Sequence, residues 1–121
     1  MRMEYVTVNT KDLSGSVAFY EKVLGFKTVR RFSPRPGMEI AFLDDGSGSQ
    51  VEFIQGEGAA FSGEGIALGF RIDDIERVAT TLKAEGVEIL LGPIAMPNGL
   101  RLLQAKDCNG LKLGFMQEGK P

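Results

Sequence analysis

The 121-residue sequence contains no histidine and only one cysteine, Cys108, and each shortage excludes a class of site. Without histidine there is no Ser-His-Asp triad, and a metal site would lack the imidazole that commonly anchors zinc or iron. A single cysteine excludes an internal disulfide and a cysteine-cluster metal site. An ordinary metal or nucleophilic site is therefore hard to build from this chain.

The sequence also lacks a long apolar run and a strong excess of one charge. No stretch approaches the roughly 18 apolar residues of a membrane span, and "MRMEYVTVN" lacks the apolar core of a signal peptide. The formal net charge is -2, which favours neither nucleic acid nor an anionic membrane as partner. We expect a single cytoplasmic domain, with 43% hydrophobic and 25% charged residues as in ordinary globular proteins.

The chain repeats itself at an offset of 62 residues. Six identical pairs align without gaps: Asp12 with Asp74, Gly37 with Gly99, Asp45 with Asp107, Gly48 with Gly110, Phe53 with Phe115 and Gln55 with Gln117. Apolar positions between these pairs match in character, so one module occurs twice. The glycine-rich stretch "QGEGAAFSGEG" predicts a linker. We expect one domain over residues 1–121, with module one at 1–55, a linker at 56–65 and module two at 66–121.

Each module is predicted to have the element order β-α-β-β-β. In module one, "EYVTVNT" alternates as a strand, Asp12 offers a helix N-cap, and apolar residues then recur at helical spacing until Gly25. The runs "FKTVRRF", "MEIAFLDD" and "QVEFIQ" predict three strands, separated by the turns "SPRPG" and "DGSGS". Module two repeats this order with a helix that ends before Gly86, followed by "VEILLG", "GLRLLQA" and "LKLGFMQ". The fold class is therefore α+β.

The doubled module resembles the vicinal oxygen chelate superfamily, which includes glyoxalase, extradiol dioxygenases, and fosfomycin- and bleomycin-resistance proteins. "DLSGSVAFYEKVLGFK" is similar to the first helix of that family, "DDIERVATTLKAEGVEI" to its second, and "GPIAMPNGLRLLQAKDCNGLKLGF" to its last two strands. The resemblance implies curved mixed sheets around a central cavity, with helices on the convex faces. It also implies a homodimer.

The resemblance assigns four metal-ligand positions, on the first and last strands of each module. They fall on Tyr5, Glu52, Ala67 and Gly114. Ala67 and Gly114 have no donor atom, and Tyr5 would have to lose a proton of pKa about 10. We therefore predict no metal and no other cofactor, and interpret the four as vestigial metal positions.

Strand alternation divides each sheet into an apolar face and a mixed polar face. The apolar residues, expected under the helices, are Val6, Val8, Val51, Phe53, Leu68, Phe70, Leu113 and Phe115. The other face carries Tyr5, Thr7, Asn9, Gln50, Glu52, Ile54, Ala67, Gly69, Arg71, Lys112, Gly114 and Met116. The family resemblance adds Phe42 and Gln104 to that face. Gly69 and Gly114 indicate an enlarged pocket, or else a bulge or a close strand approach.

Glu52 allows three interpretations. It could bind a metal, pair with Arg71 or Lys112, or anchor a cationic or hydrogen-bonding ligand, and the last two are compatible.

Three further stretches are expected to form loops or turns. "RRFSPRPG" is a solvated loop or a cavity-rim loop that brings Phe32 or an arginine to a ligand, and "AMPNG" is its counterpart in module two. Cys108 lies in "KDCNG", which matches a turn of the family, and is expected to be a small buried or half-buried thiol.

The function expected first is metal-independent binding of an aromatic or cationic small molecule, by sequestration as in bleomycin-resistance proteins. The predicted ligand-binding residues are Tyr5, Thr7, Asn9, Phe32, Phe42, Gln50, Glu52, Arg71, Gln104 and Lys112. One alternative is a glyoxalase-like lyase or isomerase that uses Glu52 as a base or an atypical metal. Another is a structural or regulatory subunit that binds nothing.

Overall fold

The computed structural model describes residues 1–119 and contains eight strands and two helices in that range. The chain divides into two compact units, Met1–Phe61 and a second that begins at Ser62. The first contains β1 (Tyr5–Asn9), α1 (Leu13–Lys22), β2 (Lys27–Arg35), β3 (Met38–Asp44) and β4 (Gln50–Gln55). The second contains β5 (Ala67–Arg71), α2 (Ile75–Ala84), β6 (Ile89–Ala95), β7 (Arg101–Lys106) and β8 (Lys112–Gln117).

Each unit forms one four-stranded mixed sheet. The strand orders are β1-β4-β3-β2 and β5-β8-β7-β6, with β1 parallel to β4, β5 parallel to β8, and the remaining pairs antiparallel. The predicted α+β class and the tandem β-α-β-β-β modules are thus confirmed. Four pairs of elements start at the offset of the repeat: at Tyr5 and Ala67, Leu13 and Ile75, Lys27 and Ile89, and Gln50 and Lys112.

Two of the repeated identities cap the helices. The carboxylate of Asp12 accepts a hydrogen bond from the Gly15 amide at 2.9 Å, and Asp74 accepts one from the Arg77 amide at 3.1 Å. Each aspartate thereby satisfies an amide that has no partner within its helix.

Gln55 and Gln117 join the last strand of each module to its helix. The side-chain oxygen of Gln55 accepts from the Leu13 amide, and that of Gln117 accepts from the Ile75 amide, both at 2.7 Å. The repeat therefore preserves the residues that fix each helix to its own sheet.

Each helix covers the apolar face of its sheet, as the alternation predicts. The Tyr20 ring on α1 packs at 4.9 Å, centroid to centroid, on Phe53 of β4. Among the eight predicted apolar residues, Val8, Val51, Phe53, Leu113 and Phe115 are buried, and Val6, Leu68 and Phe70 are half-buried. Burial of each large side chain stabilises the fold by about 1.5–3 kcal/mol. These buried residues form the core between helix and sheet, and the opposite face of each sheet is not needed for it.

The prediction of a loop in "RRFSPRPG" is wrong, because β2 continues through Arg35. The strand lies at the edge of its sheet, where Pro34 interrupts no central ladder. The ladder to β3 is irregular between Phe32 and Arg35, where the Ser33 hydroxyl lies 2.9 Å and 2.7 Å from the carbonyl oxygens of Arg35 and Met38. Arg30 and Phe32 are therefore strand residues.

The turn that contains Cys108 is formed as expected, but the thiol is exposed rather than buried or half-buried. Asp107 is the buried residue of this turn, and its carboxylate accepts from the amides of Asn109 and Leu111 at 2.8 Å and 2.9 Å. In residues 1–119, neither helix has the length and apolar character that crossing a bilayer would require.

Candidate functional site

The polar face of module one is the sheet surface opposite α1. One row of cross-strand neighbours runs across it: Thr7 is opposite Glu52, Glu52 is opposite Phe42, and Phe42 is opposite Arg30. Residues two positions away on each strand point to the same side. The polar face of module one therefore comprises Tyr5, Thr7, Asn9, Arg30, Phe32, Ile40, Phe42, Asp44, Gln50, Glu52 and Ile54.

Glu52 lies at the centre of this face and is only 9% exposed. The Thr7 hydroxyl donates a hydrogen bond to its Oε1 at 2.5 Å. Within residues 1–119, every fully buried side-chain oxygen or nitrogen has a hydrogen-bond partner. The second oxygen, Oε2, receives no bond from the described residues, so it must be reached by solvent. Glu52 is thus a fixed carboxylate with one accessible acceptor oxygen.

Aromatic rings and an arginine lie beside this carboxylate. Tyr5 and Phe42 meet edge to face, with centroids 5.3 Å apart and an interplanar angle of 87°. The guanidinium carbon of Arg30 lies 4.9 Å from the Phe32 ring centroid and 5.2 Å from that of Phe42. These are the distances of cation–π contacts. Tyr5 and Phe32 are 48% and 37% exposed, so apolar ring surface is available to a ligand.

Asp44 and Gln50 lie at one end of the same face. The Gln50 amide donates to Asp44 at 3.3 Å, and the Gly46 backbone amide donates to it at 2.7 Å. Hydrogen bonding, above all from the Gly46 amide, lowers the pKa of Asp44 below its ordinary value. Asp44 is thereby stabilised as an anion.

The corresponding face of module two is more open. Gly69 is opposite Gly114, and Gly114 is opposite Gln104. These residues and others of β5, β7 and β8 line a concavity of about 450 Å³. A Cβ added at Gly69 would meet no atom within 4 Å, and one at Gly114 would meet only the Leu68 carbonyl oxygen at 3.9 Å. The ladder is regular there, so the interpretation of a bulge or close strand approach is wrong.

Arg71 has an ion-pair partner in its own module. Its guanidinium lies 3.0 Å from the Glu118 carboxylate, and both side chains are more than half exposed. Glu52 is likewise held within its module, by Thr7. The pairing of Glu52 with Arg71 or Lys112 stays a prediction.

The structure brings most of the predicted ligand-binding residues together in module one. Seven of them lie on its polar face: Tyr5, Thr7, Asn9, Phe32, Phe42, Gln50 and Glu52. The other three lie on the corresponding face of module two: Arg71, Gln104 and Lys112. The four vestigial metal positions divide in the same way, Tyr5 and Glu52 in one module and Ala67 and Gly114 in the other.

A family model named Glyoxalase/Bleomycin resistance protein/Dioxygenase superfamily matches residues 2–115. The chain belongs to this superfamily. It is 30% identical over 122 residues to the protein YwbC of Bacillus subtilis (strain 168), an alignment that covers 96% of this chain and 97% of that protein. The expected family is therefore confirmed from sequence.

Two solved structures have a similar fold. TnmS3, an antibiotic binding protein from Streptomyces sp. CB03234, has 21% identity and a TM-score of 0.81, with 98% of this chain and 97% of that chain covered. A Zea mays glyoxalase I mutant, E144Q, has 23% identity and a TM-score of 0.82, with 98% and 46% covered. At these identities the likeness shows the fold alone.

The metal that the family resemblance implies does not fit the side chains present here. Of the four assigned positions, Ala67 and Gly114 lack donor atoms. The Tyr5 ring packs against Phe42, and one Glu52 oxygen is already engaged by Thr7. Within residues 1–119, no three Cys, Asp or Glu side chains are grouped so that they could hold a metal ion. One carboxylate does not make a metal site.

Sequence reasoning did not single out Arg30 and did not foresee the bond between Thr7 and Glu52. Arg30 is two residues from Phe32, so alternation along a longer β2 would have placed both on one face. The Thr7–Glu52 contact depends on the parallel pairing of β1 with β4, which a β-α-β-β-β order permits but does not by itself specify.

Proposed function

We propose that this superfamily member binds a small molecule on the polar face of module one without a metal. The observation that carries the proposal is the Glu52 carboxylate, which is nearly buried, is oriented by Thr7, and keeps one accessible oxygen among aromatic rings. A nearly buried carboxylate is costly unless it is well partnered. A ligand with a hydrogen-bond donor would supply the second partner.

The surroundings of Glu52 favour a flat aromatic ligand that carries an N–H group or a positive charge. The exposed ring surfaces of Tyr5 and Phe32 would be covered by such a ligand, and each aromatic contact contributes about 0.5–1.5 kcal/mol beyond the burial of area. A hydrogen bond to the charged carboxylate contributes about 1.5–3 kcal/mol. Asn9 and Gln50 would provide further amide contacts at the margin of the face.

The remaining predictions belong to the same proposal. Arg71, Gln104 and Lys112 stay predicted ligand-binding residues on the corresponding face of module two. The protein would be a cytoplasmic homodimer and would act by sequestration. The description of TnmS3 as an antibiotic binding protein supports small-molecule binding as a function that this fold can perform.

A thermal-shift screen with planar aromatic amines in the presence of a chelator tests the proposal. Wild-type protein, Glu52→Gln and Glu57→Gln are compared, because the two variants lose the same charge but Glu57 lies exposed in the linker. We expect compounds that stabilise the wild type and Glu57→Gln and that bind Glu52→Gln about tenfold more weakly.

Two results would contradict the proposal. If every hit stabilises Glu52→Gln as strongly as wild type, Glu52 is not the anchor. If no compound stabilises any of the three proteins, the chain is better described as a structural or regulatory subunit.

An enzyme of the lyase or isomerase type is the second candidate. The accessible Glu52 oxygen favours it, since a general base must reach the proton that it removes. Turnover of a glyoxalase-type hemithioacetal by metal-free wild type, lost in Glu52→Gln and retained in Glu57→Gln, would establish this candidate. Equal rates with wild type and Glu52→Gln would exclude Glu52 as the base.

A further inference from the structure

Two lysines of module two lie side by side at the end of its sheet. Lys106 on β7 is directly opposite Lys112 on β8, and both line a depression of about 550 Å³. We name these two residues the basic corner. Like charges directly opposite each other in a sheet are destabilising, so an anion bound between them would stabilise the arrangement.

The basic corner has no carboxylate partner within residues 1–119. Neither lysine takes part in an ion pair or a side-chain hydrogen bond there, although the backbone amide of Lys106 donates to the Glu88 carbonyl oxygen at 3.1 Å. Glu64 also lines the depression and is exposed. Its single negative charge leaves the depression with an excess of one positive charge.

Module one shows that the register does not require two cations. At the offset of the repeat, Lys106 and Lys112 correspond to Asp44 and Gln50, which are also cross-strand neighbours. That pair is satisfied internally, because Gln50 donates to Asp44 at 3.3 Å. The same place in the fold is therefore self-contained in module one and open to an anion in module two.

The rest of the depression is partly apolar. Ile66 is 58% exposed and Leu90 is 38% exposed, and both line it beside the lysines. Exposed aliphatic side chains next to paired cations suit a molecule that has an anionic group and an apolar body. An inorganic anion would leave these aliphatic side chains uncovered.

We propose that the basic corner binds a carboxylate, sulfonate or phosphate group of a small molecule whose apolar part lies against Ile66 and Leu90. The proposal does not depend on the ligand proposed for module one, because that ligand is anchored by the Glu52 carboxylate and this one by two lysines.

Fluorescence titration with two matched probes tests the proposal. Anilinonaphthalene sulfonate carries an anionic group on an aromatic body, and N-phenylnaphthylamine is the same ring system without the sulfonate. We expect the wild type to bind the sulfonate about tenfold more tightly, and increasing salt to reduce the difference. Lys106→Gln with Lys112→Gln should remove the preference, whereas Lys106→Arg with Lys112→Arg should retain it.

The control variant is Lys11→Gln with Lys83→Gln, which removes two exposed lysines elsewhere and changes the net charge equally. It should bind both probes as the wild type does. Circular dichroism checks that every variant is folded. The proposal is overturned if the wild type shows no preference for the sulfonate, if the preference survives in Lys106→Gln with Lys112→Gln, or if the control variant loses it.

Discussion

Replacement of Thr7 by valine tests whether this hydroxyl stabilises the Glu52 carboxylate. Valine has nearly the same shape and strand preference as threonine, so the change removes the 2.5 Å hydrogen bond without opening a cavity. Because Glu52 is only 9% exposed, water can replace the lost donor only in part. We expect the free energy of unfolding to fall by about 1.5–2.5 kcal/mol, within the range for hydrogen bonds to charged groups.

Thr28→Val is the matched control in the same module. The Thr28 hydroxyl donates to the Glu21 carboxylate at 2.9 Å, but Glu21 is exposed and water can replace the bond. Its loss should cost at most about 0.5 kcal/mol. Chemical denaturation followed by circular dichroism measures both variants.

A double-mutant cycle with Glu52→Gln isolates the contact itself. In the Glu52→Gln background the acceptor of the bond from Thr7 is a neutral amide, so Thr7→Val should cost about 1 kcal/mol less than in wild type. The reasoning is refuted if Thr7→Val costs no more than Thr28→Val, or if its cost is unchanged by Glu52→Gln.

Three other predictions concern the turns and the metal. Gly56→Ala should destabilise the protein by roughly 2–4 kcal/mol, because φ is 93° and the new Cβ would meet the Gly37 carbonyl oxygen. Gly46→Ala, at φ 95° but in open space, should cost only about 1 kcal/mol. Chemical denaturation measures both variants, and equal costs would contradict the prediction. The pKa of Asp44 is lower in the folded protein than in the unfolded chain, so Asp44 stabilises the fold above its unfolded-state pKa. This stabilisation is lost as the pH falls through the folded-state pKa. An NMR titration that finds an ordinary or raised pKa for Asp44 would contradict the prediction. Metal analysis of purified protein should find no stoichiometric zinc, iron or nickel, and a full equivalent of any of them would overturn the metal-free account.

The repeat made much of the fold predictable from the sequence. Asp12 and Gln55 recur at Asp74 and Gln117 because each pair fixes a helix to its own sheet, and such local contacts survive in both modules. Alternation along regular strands also identified the two faces, since a strand that buries one face must expose the other.

What could not be predicted depends on sheet position and on pairing between strands. Pro34 and its neighbours indicated a loop, but β2 is an edge strand, where proline is tolerated. The bond between Thr7 and Glu52 joins residues 45 positions apart, and no local pattern specifies it. The basic corner was also missed, because Lys106 and Lys112 meet only when β7 and β8 are aligned.

Mapping the site of a bound planar aromatic cation is the most direct test of the central claim, metal-free binding on the polar face of module one. Aminoacridine is titrated into chelator-treated protein while backbone amide chemical shifts are followed by NMR. We predict saturable shifts concentrated on Thr7, Phe42 and Glu52 and their strand neighbours, and much weaker shifts in Glu52→Gln. Binding that requires an added divalent metal, or saturable shifts confined to other surfaces, would contradict the account.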